Sequence, residues 1–378
     1  MSFTAYRFRM YPTIEQQHQL FNTVGCSRYA YNWAVDKWKT VYEAYKDGTS
    51  DVKPSAYAIC RMWTAEKPSW ASETAYCSQQ AAIHNVGKAY TNHFRDPATF
   101  GFPKFKKKGI KDSFYVDNAK AAIHGNRVRL PNIGKVKLAE TPELPKGKIT
   151  SYTIRHYAGQ WHLVVSLETE VDTRPKCVNP ESAVGIDVGL KHAATCSDGT
   201  VFDLPTETLS KLDRKLRKAQ RKLSKKKSKS SNYRKTLRKK QRIQLRMNNI
   251  RNDACHKFTT AITKSHGIVV IEDIDIQGLK QDAQQATRAV RHAYQDSVMS
   301  QVLWQLQYKA QTIIKAPRFY PSSKTCSICG HVKNELPPSI ITYRCEHCGA
   351  TIDRDINASI NLVNYYYTHV KNNNKSNS

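Results

Sequence analysis

Four cysteines and three acids are the residues of this chain whose types and spacing could do chemistry. Cys326 and Cys329 form one CxxC pair. Fifteen residues separate it from the pair Cys345 and Cys348, and Asp355 follows seven residues after the last thiol. Two such pairs suit a tetrahedral ion, each holding one side, so one structural Zn2+ on Cys326, Cys329, Cys345 and Cys348 is expected. Four thiolates leave no coordination position open for water or substrate, so this zinc would shape the chain rather than react. Gly330 and Gly349, one residue past each pair, suit the tight turns of such knuckles.

Asp187 and Glu272 suggest a different chemistry. Each ends a short apolar run, VGID and GIVVIE, while Asp355 lies where a helical segment begins. Carboxylates that hold two divalent ions about 3.5–4 Å apart hydrolyse phosphodiesters, one ion activating water and the other stabilising the departing oxygen. Two Mg2+ suit this role, because magnesium prefers hard oxygen ligands. Each acid also has an ordinary use, since a strand-end Asp forms turns and an Asp opening a helix caps it. Asp273 and Asp275 compete with Glu272, and Asp353 competes with Asp355. The order of strand acid, meander, helix, strand acid and helix acid is that of an RNase H-like nuclease core.

The elements that must position these residues are legible in outline. Tyr6–Met10 alternates as a strand, and Thr13 with Gln16 fits a capping box before a helical stripe through Leu20, Val24, Tyr31 and Trp38. The region to about residue 95 reads as a helical subdomain. Short strands then follow, among them Arg127–Leu130, Thr150–His156 and Trp161–Glu168. They form a β-rich unit, a small barrel joined to the first strand, so that the helices are an insertion in it. A polar linker near Asp172–Pro180 precedes a third unit from Val184. Within residues 211–251 stand 19 Lys/Arg against Asp213 alone. Two apolar stripes broken by SKKKSKSSN read as a helical hairpin with a basic tip. The polar segment Gln277–Thr287 is a candidate lid.

The whole chain of 378 residues carries 60 Lys/Arg against 31 acids, a net charge of +29. Self-repulsion of that size calls for a polyanion, and nucleic acid is the leading partner. No apolar run approaches the ~18–20 residues of a membrane span, and MSFTAYRFRMYPT lacks the apolar core of a signal peptide. Ten cysteines without an export signal argue for a reducing cytoplasm and for metal over disulfide at the paired ones. The phosphate contacts expected from charge are Lys104, Lys106, Lys107 and Lys108 of GFPKFKKKG, and Lys225, Lys226, Lys227 and Arg238 of the hairpin.

The chain resembles the TnpB (OrfB) family of transposon-encoded RNA-guided endonucleases, relatives of type V CRISPR effectors. The resemblance runs over residues 5 to 365, through RMYPTIEQ, GFPKFKKK, RLPNIGKVKL, GIDVGLKHAATCSDG, VVIEDIDIQGL, RFYPSSKTCSICG and DRDINASINL. It implies an α/β multidomain fold. Residues 1–10 and 96–172 would form a β-barrel wedge domain, and 11–95 a helical recognition domain. Residues 181–322 and 350–365 would form a RuvC-like nuclease domain with a zinc ribbon at 323–349, and 366–378 would be a disordered tail. The resemblance places the catalytic, Mg2+-binding triad on Asp187, Glu272 and Asp355.

The partners it implies are a guide RNA from the transposon end, with one protein monomer on one RNA, and a double-stranded DNA target with an adjacent motif. Gln80 would read that motif, with Ser113, Phe114 and Tyr115 as further duplex contacts. The protein would work in a prokaryotic cytoplasm, at the nucleoid when DNA-bound. One departure is the segment Gln311–Pro317, shorter than is usual in the family and expected to compress a helix end against a strand. A nuclease-inactive RNA-guided repressor and a transposase are the alternative functions.

Overall fold

A computed structural model describes residues 2–109, 112–228, 230–337 and 340–371. The chain divides into two compact units, Met1–Thr173 and Arg174–Ser378, and the fold is mixed α/β. No helix of the described residues is long and apolar enough to cross a membrane.

In the first unit, strand β1 (Ser2–Tyr11) turns at Pro12 into helix α1 (Ile14–Lys46). The capping box forms as expected. The Thr13 hydroxyl accepts the Gln16 N–H at 3.2 Å, and the Gln16 side chain accepts the Thr13 N–H at 3.1 Å. Helices α2 (Ala56–Glu66) and α3 (Tyr76–Arg95) close with α1 around Trp38, Ile59, Trp63, Ile83 and Val86. The chain then returns to the sheet as β2 (Asp112–Asp117), β3 (Ala122–His124), β4 (Arg127–Leu130), β5 (Gly134–Leu138), β6 (Lys148–Tyr157) and β7 (Gln160–Thr169). The antiparallel order is β2-β6-β7-β1-β5-β4-β3, so all three helices are inserted between β1 and β2 of one sheet. Period-2 alternation buries Trp161, Leu163, Val165 and Leu167 on a single face of β7. Both edge strands feed the same core, β2 through Phe114 and Val116 and β3 through Ile123.

The second unit opens on the meander β8 (Ala183–Asp187), β9 (Ala194–Cys196) and β10 (Val201–Phe202). Helices α4 (Thr206–Ser224) and α5 (Ser231–Ser265) follow as a hairpin closed by Leu209, Leu212 and Met247. Next come β11 (Ile268–Glu272), the short helices α6 (Ile276–Asp282) and α7 (Arg288–Asp296), then α8 (Met299–Lys309) and β12 (Thr312–Ala316). Strands β13 (Thr342–Arg344) and β14 (Thr351–Asp353) lead directly into α9 (Arg354–Tyr365). The five-stranded order is β10-β9-β8-β11-β12, antiparallel in the meander and parallel across β8, β11 and β12.

Helices α5 and α8 cover one face of this sheet, packing Phe258, Ile262, Val302 and Leu306 against Ile186, Val269 and Ile271. On the other face, Leu362 of α9 meets Val270 and Ala316.

Two expectations are corrected. The short link after α8 does not compress β12, which keeps five paired residues with β11 from Ile268–Thr312 to Glu272–Ala316. The expected tail from 366 is helical as far as Lys371, because Tyr366 packs on the Val270–Leu362 cluster and Tyr365 meets Tyr320 edge-on. The remainder of that tail, 372–378, lies outside the described residues.

Candidate active site

Parallel pairing brings Asp187 and Glu272 together. The β8–β11 ladder ends on Ile186–Ile271, and the next residue of each strand is one of the two acids. Asp355 enters from the first turn of α9, the helix that lies across β8. All three acids are half-buried. Burial pushes the Asp187 carboxyl up to about 7, and the neighbouring charges of Asp355 and Glu272 add to the shift, while Arg354 opposes it. Burial also raises Glu272. Three carboxyl groups in this arrangement are a hard-oxygen donor set of the kind that suits divalent cations. Their oxygens are not drawn as tightly together as the cysteine sulfurs, which alone among the described residues gather within 4.8 Å of one another.

The competing acids are occupied elsewhere. Asp353 caps α9, its Oδ1 accepting the N–H of Asp355 at 2.9 Å and of Ile356 at 3.3 Å, and its Oδ2 lies 3.7 Å from Lys191 Nζ. Asp275 caps α6 by accepting the Gly278 N–H at 3.0 Å, while Asp273 is exposed. Asp353 nevertheless stands near enough to Asp187 to add a smaller upward push to its carboxyl.

The four cysteines converge as their spacing predicts. Cys326 Sγ lies 3.7 Å from Cys348 Sγ, and Cys329 Sγ lies 3.6 Å from Cys345 Sγ. A tetrahedron of Zn–S bonds of about 2.3 Å has edges of about 3.8 Å, so the donor set fits zinc. Each knuckle turns on a left-handed glycine, Gly330 at φ 76° and Gly349 at φ 74°. The Gly330 N–H donates to Cys326 O at 2.9 Å and the Gly349 N–H to Cys345 O at 3.1 Å. In the second knuckle the N–H groups of Cys348 and His347 lower the Cys345 thiol, while burial and the other three sulfurs raise Cys329.

Two asparagines that periodicity could not assign tie this ribbon-like module to α9. Asn357 Oδ1 accepts the Ser327 N–H at 2.9 Å and its Nδ2 donates to Thr325 O at 2.7 Å. Asn361 Nδ2 donates to Ser322 O at 2.8 Å and to Thr325 O at 2.7 Å. Both are fully buried, and buried amides are retained where they are hydrogen-bonded. Their signal in the sequence was two amides one turn apart at positions where a helix core is normally apolar.

Among the expected nucleic-acid contacts, Gln80 is half-buried on α3, while its neighbour Gln79 is a core residue bonded to Trp63 Nε1 at 2.9 Å. Tyr115 of β2 is half-buried and close enough to Cys77 for that thiol to raise it, after burial and Asp117. Cys77 precedes Gln80 by one helical turn, so Ser113, Tyr115 and Gln80 share one region of the first unit. Phe114 does not join them. Strand alternation turns it into the sheet core at 3% exposure, and it cannot touch a duplex.

In the basic loop, Lys104, Lys106, Lys107 and Lys108 are all exposed, and the Lys106 ammonium sits over the Tyr31 ring at 3.8 Å. The same residue's backbone is held by Asn32, whose Oδ1 accepts the Lys106 N–H at 2.7 Å. Lys225, Lys227 and Arg238 are exposed and Lys226 is half-buried at the hairpin.

Three family descriptions match parts of the chain: "Probable transposase" (OrfB of IS605) over residues 164–283, "Cas12f1-like, TNB domain" over 300–362, and "Helix-turn-helix domain" of OrfB over 1–47. The last covers one strand and a single uninterrupted helix. "Putative RNA-guided DNA endonuclease InsQ" of Escherichia coli K12 is 31% identical over 376 residues, spanning 95% of this chain and 91% of its own length. "Putative RNA-guided DNA endonuclease" of Streptomyces pristinaespiralis is 30% identical over 362 residues, spanning 95% and 88%. Among solved structures, the mini-RNA-guided endonuclease CRISPR-Cas_phi3 shares the fold at a TM-score of 0.50 and 8% identity, covering 96% of this chain and 92% of that one.

Proposed function

The chain belongs to the OrfB (TnpB) family of IS605 elements, and from that membership we propose that it is an RNA-guided DNA endonuclease whose cutting residues are Asp187, Glu272 and Asp355. The observation that carries the assignment is the approach of these acids at one end of the sheet, where β8 and β11 finish side by side on Asp187 and Glu272 and where Asp355 and Glu272 each raise Asp187. The strand order β10-β9-β8-β11-β12, with an acid closing each of two adjacent parallel strands, supports an RNase H-like, RuvC-like nuclease domain. The shared core of all seven strands supports a barrel-type wedge domain in the first unit, with α1–α3 as its recognition insertion.

Asp187, Glu272 and Asp355 would hold Mg2+, and that ion, when bound, supplies an activated water and a charge sink for the departing oxygen. The protein's own contribution is rigidity. Two acids ride on a paired sheet edge, and the third rides on a helix whose N-terminus is capped by Asp353. A structural Zn2+ would sit on Cys326, Cys329, Cys345 and Cys348, and with four thiolates it takes no part in hydrolysis. A guide RNA from the transposon end would supply target sequence by base pairing, leaving the protein to grip backbones through its exposed lysines and arginines. Gln80, Ser113 and Tyr115 would read a short motif beside the target. The segment Gln277–Thr287 would act as a lid over the acids, as loop closure often gates enzyme sites.

The protein purified with its own RNA, offered a plasmid matching that RNA, should cut it in Mg2+. Asp187→Ala, Glu272→Ala and Asp355→Ala should each abolish cutting while guided binding survives. Cutting by Asp187→Ala at the wild-type rate would overturn the assignment.

A further inference from the structure

An aromatic pair on α8 is left in water by the fold. Trp304 is 63% exposed and Tyr308, one turn on, is 43% exposed; their rings meet edge-on with centroids 4.8 Å apart. Every other turn of α8 is used, since Val302, Leu303, Leu306 and Lys309 are buried. A solvent-facing Trp–Tyr pair leaves a large apolar area without a neighbour, and such area marks a binding surface more often than an idle one.

An open hollow of about 510 Å³ on α5 is lined by His256, Lys257, Thr260, Ala261 and Lys264. Lys309 joins the two features. Its ammonium lies 6.0 Å from the Tyr308 ring centroid and donates to Thr260 Oγ1 at 2.9 Å, with His256 Nδ1 at 3.1 Å. Through the buried Lys309, the Tyr308 ring stands near a hollow that carries the exposed cations Lys257 and Lys264. Lys257 is held by Asp253 at 2.8 Å, but both groups are exposed, and an exposed pair of this kind is weak enough for a phosphate to displace.

We propose that Trp304 and Tyr308 stack unpaired bases of a nucleic-acid strand whose phosphates run over Lys257 and Lys264. The occupant is single-stranded, because a base offers its flat face to a side chain only when its neighbours do not already stack on it. The proposal rests on the nucleic-acid-binding reading of the chain, not on its cutting chemistry. It calls for a site separate from the carboxylates, one that survives their removal.

The test uses full-length Asp187→Ala protein, which leaves the strand intact, with a 5-iodouracil-substituted oligothymidine irradiated in the complex. Adducts should map to the peptide 292–309. They should vanish in Trp304→Ala/Tyr308→Ala and persist in Trp304→Phe. Affinity for the single strand should fall about tenfold in the double variant, as one lost base stack predicts, while affinity for a blunt duplex holds. Adducts confined to other peptides, or equal loss of single-strand and duplex binding, would overturn the proposal. So would a wild-type dimer in sedimentation that Trp304→Ala dissolves, because a second copy would then be the occupant. Failure of cleavage in an otherwise wild-type chain, with these adducts intact, would count against the nuclease assignment alone.

Discussion

Gly185 of β8 lies directly beneath Ser359 of α9, so close that a Cβ at position 185 would overlap the Ser359 carbonyl and meet Leu362 Cβ at 3.1 Å. The helix that carries Asp355 thus rests on the strand that carries Asp187, with Gly185 two residues from Asp187 and Ser359 four residues from Asp355. This contact sets the approach of the third acid to the first.

Gly185→Ala should therefore lift α9 off the sheet. Overpacking of this kind costs about 1–3 kcal/mol, so the melting temperature should drop by several degrees. Cleavage should fall further than stability explains, because Asp355 moves with the helix. An alanine variant with wild-type melting and wild-type cutting would show that α9 adjusts freely.

Asp353 and Asp355 should separate by phenotype. Asp353→Ala removes a helix cap, costing about 0.5–2 kcal/mol and leaving partial activity. Asp355→Asn keeps shape and should eliminate cutting with little change in melting. A reversal of the two results would move the third catalytic acid to position 353.

Asn357→Ala and Asn361→Ala each leave buried backbone partners unpaired, at roughly 1–3 kcal/mol apiece. Both should loosen the cysteine module from α9 and lower cleavage while zinc stays bound, as read by metal content. Cys345→Ser should lose zinc as well as activity. If the asparagine variants released zinc stoichiometrically, the two roles would not be separable as argued.

The charge of Asp187 makes stability depend on pH in the absence of Mg2+. Its folded value is raised from the ordinary carboxylate range to about 7, so the folded chain holds a proton that the unfolded chain releases. That contribution is whole below about pH 4, declines as pH rises, and is gone above about pH 7. Asp187→Asn should be more stable than wild type at pH 8 by roughly 1–3 kcal/mol and nearly equal to it at pH 4. Melting curves at the two pH values decide this, and a constant difference between the proteins would refute it.

Local chemistry carried much of this protein in its sequence. The spacing of Cys326, Cys329, Cys345 and Cys348, the Thr13–Gln16 cap, the alternation of β7 and the basic α4–α5 hairpin depend on neighbours a few residues apart. Periodicity and ligand spacing report such neighbours directly. The choice of Asp355 over Asp353, and of Glu272 over Asp273 and Asp275, is open to the residues alone, and family resemblance favours one of each. Asp353 and Asp275 spend their carboxylates on helix caps, while parallel pairing of β8 with β11 sets Glu272 beside Asp187. Sequence position likewise put Phe114 with Ser113 and Tyr115, and only the sheet turned it inward. These outcomes needed tertiary structure because each turns on a partner distant in the chain, whose identity no local spacing encodes.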